Sequence, residues 1–112
     1  MASTPEGRVK AKVDKLLKEL GVWYYSPQAG PYGSSGIPDR VAIVDGLFVG
    51  VECKADRTKK PTALQQKCMR DIELAGGKCF VVCDAESLAL LKEFIYARRG
   101  KSQGSGLEAE QP

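Results

Sequence analysis

Apolar residues recur every three or four positions over residues 6–20, which is the spacing of one buried face of an α-helix. The stripe comprises Val9, Val13, Leu16, Leu17 and Leu20. Thr4 or Ser3 can cap its start, Pro5 suits a first turn, and Gly21 suits an end. The pattern predicts a first helix.

The same spacing returns twice in the second half of the chain. One helix is predicted to open at Pro61-Thr62 and to end before Gly76-Gly77. Its apolar side comprises Leu64, Cys68, Ile72, and Leu74 or Ala75. The last helix is predicted from Ala85 to Ala97, with an inward face of Leu88, Leu91, Phe94 and Ile95.

Four short runs favour strands because they are rich in β-branched and aromatic residues. They are residues 22–25, 40–44, 47–51 and 78–83. Asp45-Gly46, between the second and third runs, is the signature of a two-residue hairpin turn. The element order is therefore α-β-β-β-α-β-α. Because the second helix permits a parallel crossover, we expect an α/β fold with a mixed β-sheet flanked by helices.

The chain of 112 residues is short enough for one domain, which we place at residues 1–99. Residues 26–38 are rich in glycine, proline and serine and predict a long loop, a length that is often functional. Residues 100–112 are polar and rich in glycine and serine, so we expect a flexible C-terminal tail.

Composition narrows the chemistry that is available. The chain has no histidine, which excludes Ser-His-Asp and Cys-His catalysis. The four cysteines, at positions 53, 68, 79 and 83, form no Cys-x-x-Cys pair, so we expect reduced core thiols rather than zinc ligands. No apolar run approaches the ~20 residues of a membrane span, and no signal peptide is evident. We expect a cytoplasmic protein.

The hairpin brings two acidic residues together. A two-residue loop places residue 44 opposite residue 47, and therefore Asp39 opposite Glu52, unless a bulge at Gly50 shifts the register. Directly opposed carboxylates destabilise a sheet unless something neutralises them, and Mg²⁺ or Mn²⁺ would do so. Lys54 lies two residues beyond Glu52, on the same face and about 7 Å along the strand.

Two carboxylates and a lysine suffice for phosphodiester hydrolysis. The carboxylates can hold a metal that activates water, and the lysine can orient that water or stabilise developing negative charge. The alternative is a solvated sheet end at which Glu52 and Lys54 form a simple ion pair. Pro38-Asp39 on the partner strand, with apolar strands leading into both halves, favours the catalytic interpretation.

Pro38-Asp39, a hairpin, and then Glu52-Cys53-Lys54 resembles the PD-(D/E)XK nuclease superfamily. More narrowly, the chain resembles the VRR-Nuc family at residues 36–40, 51–54, 64–65 and 75–77. The family's namesake Val-Arg-Arg signature is not evident, and Asp39-Arg40-Val41 follows the proline instead. The resemblance implies a restriction-endonuclease-like core and metal-dependent endonuclease activity on DNA. The chain is similar to the family's small stand-alone members, which are often phage-encoded and act in the host cytoplasm. This similarity implies a homodimer that cuts branched DNA such as Holliday junctions.

The resemblance also implies roles for individual residues. Asp39 and Glu52 would be metal ligands, the backbone carbonyl of Cys53 a third ligand, and Lys54 the catalytic lysine. Gln65 matches the family's motif glutamine, although Thr62-x-x-Gln65 is equally a capping box and Gln66 is its neighbouring alternative. Glu6 matches the acidic residue of the family's first helix, although an acidic residue also suits a helix N-terminus.

Basic residues near this constellation are candidates for contacts with DNA phosphates. They are Arg57, Lys59 and Lys60 in the loop after the active strand, and Lys67 and Arg70 on the next helix; the alternative is an ordinary solvated loop. Tyr24, Tyr25 and Tyr32 could stack on unpaired bases, whereas Trp23 and one tyrosine are expected in the core.

We expect structure-selective cutting of branched DNA, since no feature reads a base sequence. We also expect a homodimer, because a junction needs two symmetric cuts, with an interface supplied by the last helix or the loop tyrosines. The alternatives are a non-catalytic DNA-binding module with a nuclease fold and a nuclease that acts on RNA.

Overall fold

The computed structural model describes residues 4–28 and 36–110, the last ten of these by their backbone alone. The helices are α1 (Pro5–Glu19), α2 (Ala63–Leu74) and α3 (Ala85–Glu110), and the strands are β1 (Trp23–Tyr25), β2 (Arg40–Val44), β3 (Leu47–Cys53) and β4 (Lys78–Val82). This confirms the predicted order of elements and the α/β class. No helix in the described part of the chain has the length and apolarity to cross a membrane.

The helix starts follow the local sequence. The Thr4 hydroxyl accepts a hydrogen bond from the Gly7 backbone N–H at 2.9 Å and caps α1, which has Pro5 in its first turn. The alternative cap, Ser3, lies outside the described residues, as does most of the predicted loop (residues 29–35).

The backbone of α3 is helical to Glu110, so the predicted end at Ala97 is wrong. The helix can continue because no proline interrupts it. A flexible tail stays a prediction.

The four strands form one sheet in the order β1-β2-β3-β4, with the first two pairings antiparallel and the pairing of β3 with β4 parallel. Val44 pairs with Leu47 and Arg40 with Val51, which confirms the predicted register. Gly50 pairs regularly with Val41, so no bulge shifts it. Asp45 and Gly46 both have positive φ, 48° and 82°, as a type I′ turn requires.

The main core lies on the face of the sheet that packs against α1 and α3. It is built from apolar side chains of both helices and of alternate strand positions: Val13, Leu17, Ala42, Val44, Val49, Val51, Leu91 and Ile95. The opposite face is covered by α2 near Phe48, Cys79 and Gly77, where Ile72 packs.

Next to that covered area, a row of apolar side chains lies exposed. Trp23 pairs with Ile43, and Ile43 with Phe48, so the three side chains share one sheet face. They are 62%, 40% and 39% exposed. The expectation that Trp23 belongs to the core is therefore wrong, because strand periodicity places it on the face that α1 and α3 do not cover. Tyr24, its neighbour, packs partly against the core instead.

Two glycines let the chain approach the start of β2. Gly36 has φ +101°, and a Cβ there would lie 2.6 Å from the Leu64 backbone oxygen at the start of α2. A Cβ at Gly50 would lie 2.8 Å from Pro38 Cγ. Both distances are shorter than real Cβ contacts, so glycine is required for the segment 36–38 to fit between α2 and β3.

We predict that Gly36→Ala lowers the free energy of unfolding by about 3 kcal/mol, because it adds both a strained φ and a backbone clash. The control is Gly76→Ala, since Gly76 has φ +106° but nothing within 4 Å of its Cβ position. The control should lose only about 1 kcal/mol. Equal losses in chemical denaturation would show that the contact between Gly36 and α2 contributes nothing.

Candidate active site

The open end of the β2–β3 hairpin carries two carboxylates. Continuing the observed register by one pair places Asp39 opposite Glu52. Oδ2 of Asp39 accepts a hydrogen bond from the backbone N–H of Cys53 at 2.8 Å. The Asp39 side chain therefore continues the strand pairing past the end of β2, which fixes its carboxylate beside β3.

Glu52 is an acidic side chain held in the interior. Its side chain is 2% exposed, and Oε1 is buried with no hydrogen-bond partner among the described residues. Oε2 lies 3.3 Å from Nζ of Lys54, whose side chain is 12% exposed. Burial, with the nearby Asp39 charge, raises the pKa of Glu52 to about 7, although Lys54 opposes the rise.

The first turns of α1 bring two further charges to this end of the sheet. Nζ of Lys10 lies 3.4 Å from Oε2 of Glu6 and 3.6 Å from Oδ1 of Asp39. Burial acts to lower the pKa of Lys10, but the Asp39 and Glu6 carboxylates outweigh it and raise that pKa. Sequence reasoning missed Lys10. Its only signal was the charged stripe of α1, in which Glu6, Lys10 and Asp14 recur every four residues.

Arg40 is a second residue that sequence reasoning missed. Its Nε and Nη2 donate to the two oxygens of Asp14 at 2.6 and 3.0 Å, and its Nη1 donates to the Asp39 carbonyl at 2.8 Å. This planar, bidentate pairing is geometrically specific for arginine. Arg40 therefore fastens the backbone of Asp39 to α1.

The comparisons with known proteins add a structural relative. Comparison with protein-family models gave no match, and comparison with curated proteins gave none. Among solved structures, one described as a "VRR_NUC domain" superposes with a TM-score of 0.71 at 29% sequence identity. The match covers 81% of this chain and 97% of that one. The chain is similar in fold and in sequence to this VRR_NUC domain, which supports the resemblance to the VRR-Nuc family. Its fold is accordingly the restriction-endonuclease-like one, and its domain is of the nuclease type.

In this domain the two carboxylates fit a hard divalent cation. Lys54 contacts only Oε2 of Glu52, so the buried Oε1 is left without a hydrogen-bond donor among the described residues, and Asp39 adds a second anionic oxygen donor. No group of three acidic or cysteine side chains that could hold a metal is found within residues 4–28 and 36–100. A backbone carbonyl oxygen is also a ligand that such a cation accepts.

Cys53 can offer such an atom but not its thiol. Its side chain is fully buried in the core, where burial raises the pKa of the thiol to about 12. The thiol is therefore neutral at physiological pH and lies on the sheet face away from Glu52. This leaves the backbone carbonyl as the oxygen that Cys53 could provide.

The structure gives the two predicted glutamines contacts at the start of α2. Gln65 forms the capping box of α2: Oε1 accepts from the Thr62 N–H at 2.8 Å, and the Gln65 N–H donates to the Thr62 hydroxyl at 3.2 Å. Gln66 donates to the Pro61 carbonyl. Cap and function remain compatible for Gln65, because its amide nitrogen is not used by the cap.

Two of the predicted DNA-binding cations already have carboxylate partners. Arg57 pairs with Asp84 at 2.7 Å and with Glu86 at 2.9 Å, which ties the basic loop to the start of α3. Lys67 pairs with Asp71 at 2.8 Å on the surface of α2. Lys59 and Lys60 are exposed in the loop that leads to α2.

We predict that Glu52 makes the metal-free protein less stable as the pH rises from about 4.5 to about 7. The folded state holds its proton to a higher pH than the unfolded state does, so stability is full below pH 4.5 and is lost up to pH 7. The loss should approach about 3 kcal/mol. Denaturation in chelator should show this fall in the wild type and not in Glu52→Gln. The exposed Glu93→Gln control should keep it, and a fall that persists in Glu52→Gln would contradict the assignment.

Proposed function

We propose that this VRR-Nuc domain is a divalent-metal-dependent endodeoxyribonuclease that hydrolyses phosphodiester bonds in branched DNA. The observation that carries the proposal is the buried Glu52 carboxylate, which lies opposite Asp39 and beside Lys54 and whose Oε1 has no hydrogen-bond partner among the described residues. A protein that only binds DNA gains nothing from burying an acidic pair, because like charges there oppose both folding and phosphate binding. We further propose that it acts in the cytoplasm.

Asp39, Glu52 and the Cys53 carbonyl would hold the cation, which is Mg²⁺ or Mn²⁺ since all three donors are oxygens. When bound, such a cation supplies Lewis-acid polarisation of the phosphate and lowers the pKa of water. The hydrogen bond from the Cys53 N–H positions one Asp39 oxygen, so the carboxylate is oriented before any ligand arrives.

Lys54 is the group proposed to act on the reacting atoms. Its ammonium lies 3.3 Å from Oε2 of Glu52, and its side chain is only 12% exposed, so the ammonium is held at the site rather than extended into solvent. There it can orient the attacking water and stabilise the negative charge that develops on the phosphate. Glu6, on the far side of Lys10, and the amide nitrogen of Gln65, which the capping box does not use, are proposed as supporting polar groups.

DNA phosphates would be met by the exposed loop that precedes α2. Lys59 and Lys60 are exposed there, and Lys67 lies on the following helix. Arg57 would have to exchange Asp84 and Glu86 for phosphate, which its 70% exposed side chain permits. Such contacts position DNA without reading its sequence, which supports selection by DNA shape.

The homodimer is proposed because a four-way junction needs two symmetric cuts and this domain carries one candidate site. The last helix cannot supply the interface through all its apolar residues, since Leu91 and Ile95 are fully buried in the core. The exposed row Trp23, Ile43 and Phe48 is the better surface, being apolar and contiguous across three strands. Tyr25, 49% exposed beside Trp23, remains proposed for stacking on bases, and Tyr32 lies outside the described residues.

We predict cleavage of a labelled four-way junction in Mg²⁺ or Mn²⁺, and none in chelator. Asp39→Asn, Glu52→Gln and Lys54→Met should each lower the cleavage rate by about 100-fold or more, because each removes an electrostatic contribution to the transition state. Lys92→Met, which removes an exposed lysine of α3, is the matched control and should cut at the wild-type rate.

Linear duplex arms and a matched RNA junction should be run beside the DNA junction. Equal cutting of the linear duplex would refute structure selectivity, and preferred cutting of RNA would make the protein an RNA-directed nuclease. Tight junction binding with no cutting in any metal would favour the non-catalytic DNA-binding module.

We predict a homodimer in sedimentation at micromolar concentration, and a shift toward monomer in Trp23→Ala, because the substitution removes the most exposed ring of the apolar row. Tyr96→Ala, which removes an aromatic ring of similar exposure from α3, is the control and should stay dimeric. A monomeric wild type would remove the dimer from the proposal, and a dimeric Trp23→Ala would move the interface elsewhere.

A further inference from the structure

Lys10 occupies a position that the proposed reaction does not use. Its ammonium lies between two carboxylates, 3.4 Å from Oε2 of Glu6 and 3.6 Å from Oδ1 of Asp39. Oδ1 is the Asp39 oxygen that the Cys53 N–H does not contact. It is therefore the oxygen free to meet a cation, and the ammonium of Lys10 already stands beside it.

The two lysines of the site differ in how firmly they are held. Lys54 lies directly after β3 and is 12% exposed, whereas Lys10 is 33% exposed on a helix surface. Both contacts of Lys10 are longer than a normal charge-assisted hydrogen bond. An ammonium on a four-carbon stem can move away from such a contact without moving the backbone.

We propose that Lys10 is the internal counter-ion of Asp39, which a divalent cation must displace, and that it thereby sets the metal affinity of the site. The inference rests on the proposed function only in that Asp39 is taken as a metal ligand. When the Lys10 ammonium is displaced from Asp39, it keeps its ion pair with Glu6, which lies one helical turn away on α1. Glu6 then acts on the metal through Lys10, as a positioning residue.

The competing explanation is that Lys10 merely stabilises the fold. In that case its removal would lower stability and leave metal binding unchanged. Under the proposal, removal takes away the ammonium beside Oδ1 of Asp39, so the metal-free site becomes more anionic and holds a divalent cation more tightly. Lys10→Arg keeps the positive charge and should behave nearly as the wild type does.

The test is Mn²⁺ binding to the metal-free full chain, without DNA, by isothermal titration calorimetry. Lys10→Met should bind Mn²⁺ about two- to fivefold more tightly than the wild type, the effect of removing one partly exposed ion pair. Lys12→Met is the matched control, because two residues along a helix place Lys12 on a different side. It should leave the affinity unchanged. Circular dichroism would establish that each variant is folded.

A second variant separates the two roles of Glu6. Glu6→Gln should weaken Mn²⁺ binding in the wild-type background, because Lys10 then pairs with Asp39 alone. In the Lys10→Met background its effect should be clearly smaller, because only the direct electrostatic effect of the Glu6 charge on the site is then lost. Unchanged or weaker binding by Lys10→Met would overturn the inference, as would an equal effect of Glu6→Gln in both backgrounds. No Mn²⁺ binding by the wild type would instead refute the proposed function, so the two failures are distinguishable.

Discussion

The local structure of this protein depends on holding two carboxylates against each other at the end of a β-hairpin. Asp39, just before β2, lies opposite Glu52 of β3, and the Glu52 side chain is 2% exposed with one oxygen unpartnered within the described part of the chain. Neither burial nor the pairing favours folding, since a buried charge loses hydration and like charges repel. Such an arrangement persists only where the rest of the structure enforces it, and strongly perturbed acidic groups concentrate at functional sites.

Three features enforce it, and they come from different parts of the chain. The Asp45-Gly46 turn fixes the register, and a slip by one residue would carry Glu52 into the core face of the sheet. Gly36 and Gly50 remove the Cβ atoms that would block the approach to Asp39. Arg40 then ties the Asp39 backbone to Asp14 on α1. The hairpin, the loop and the first helix thus converge on one carboxylate.

Whether a feature could be predicted from the sequence depends on how far apart along the chain its interacting residues lie. The opposition of Asp39 and Glu52 follows from a two-residue turn, which is local, so the register was predictable. The contacts of Lys10 and Arg40 join α1 to β2 across 26 or more positions, and periodicity gives no distance between elements. The exposure of Trp23 depends on which sheet face the helices cover. The end of α3 was missed because glycine and serine lower helix propensity without forbidding a helix.

The distribution of paired cations bears on how DNA would be held. Arg57 is paired with Asp84 and Glu86, and Lys67 with Asp71, so phosphate contacts at these residues exchange one ion pair for another. Such an exchange releases fewer counterions than phosphate binding by an unpaired cation would, so it adds little affinity for DNA. With a net charge of only +3, one proposed nuclease domain would therefore bind DNA weakly through its surface. Two domains on one junction would multiply that weak affinity through effective concentration, and only a substrate that reaches both sites would gain it. Selectivity for branched DNA would then follow from the weakness of each individual contact, because a single domain on linear DNA would bind too weakly.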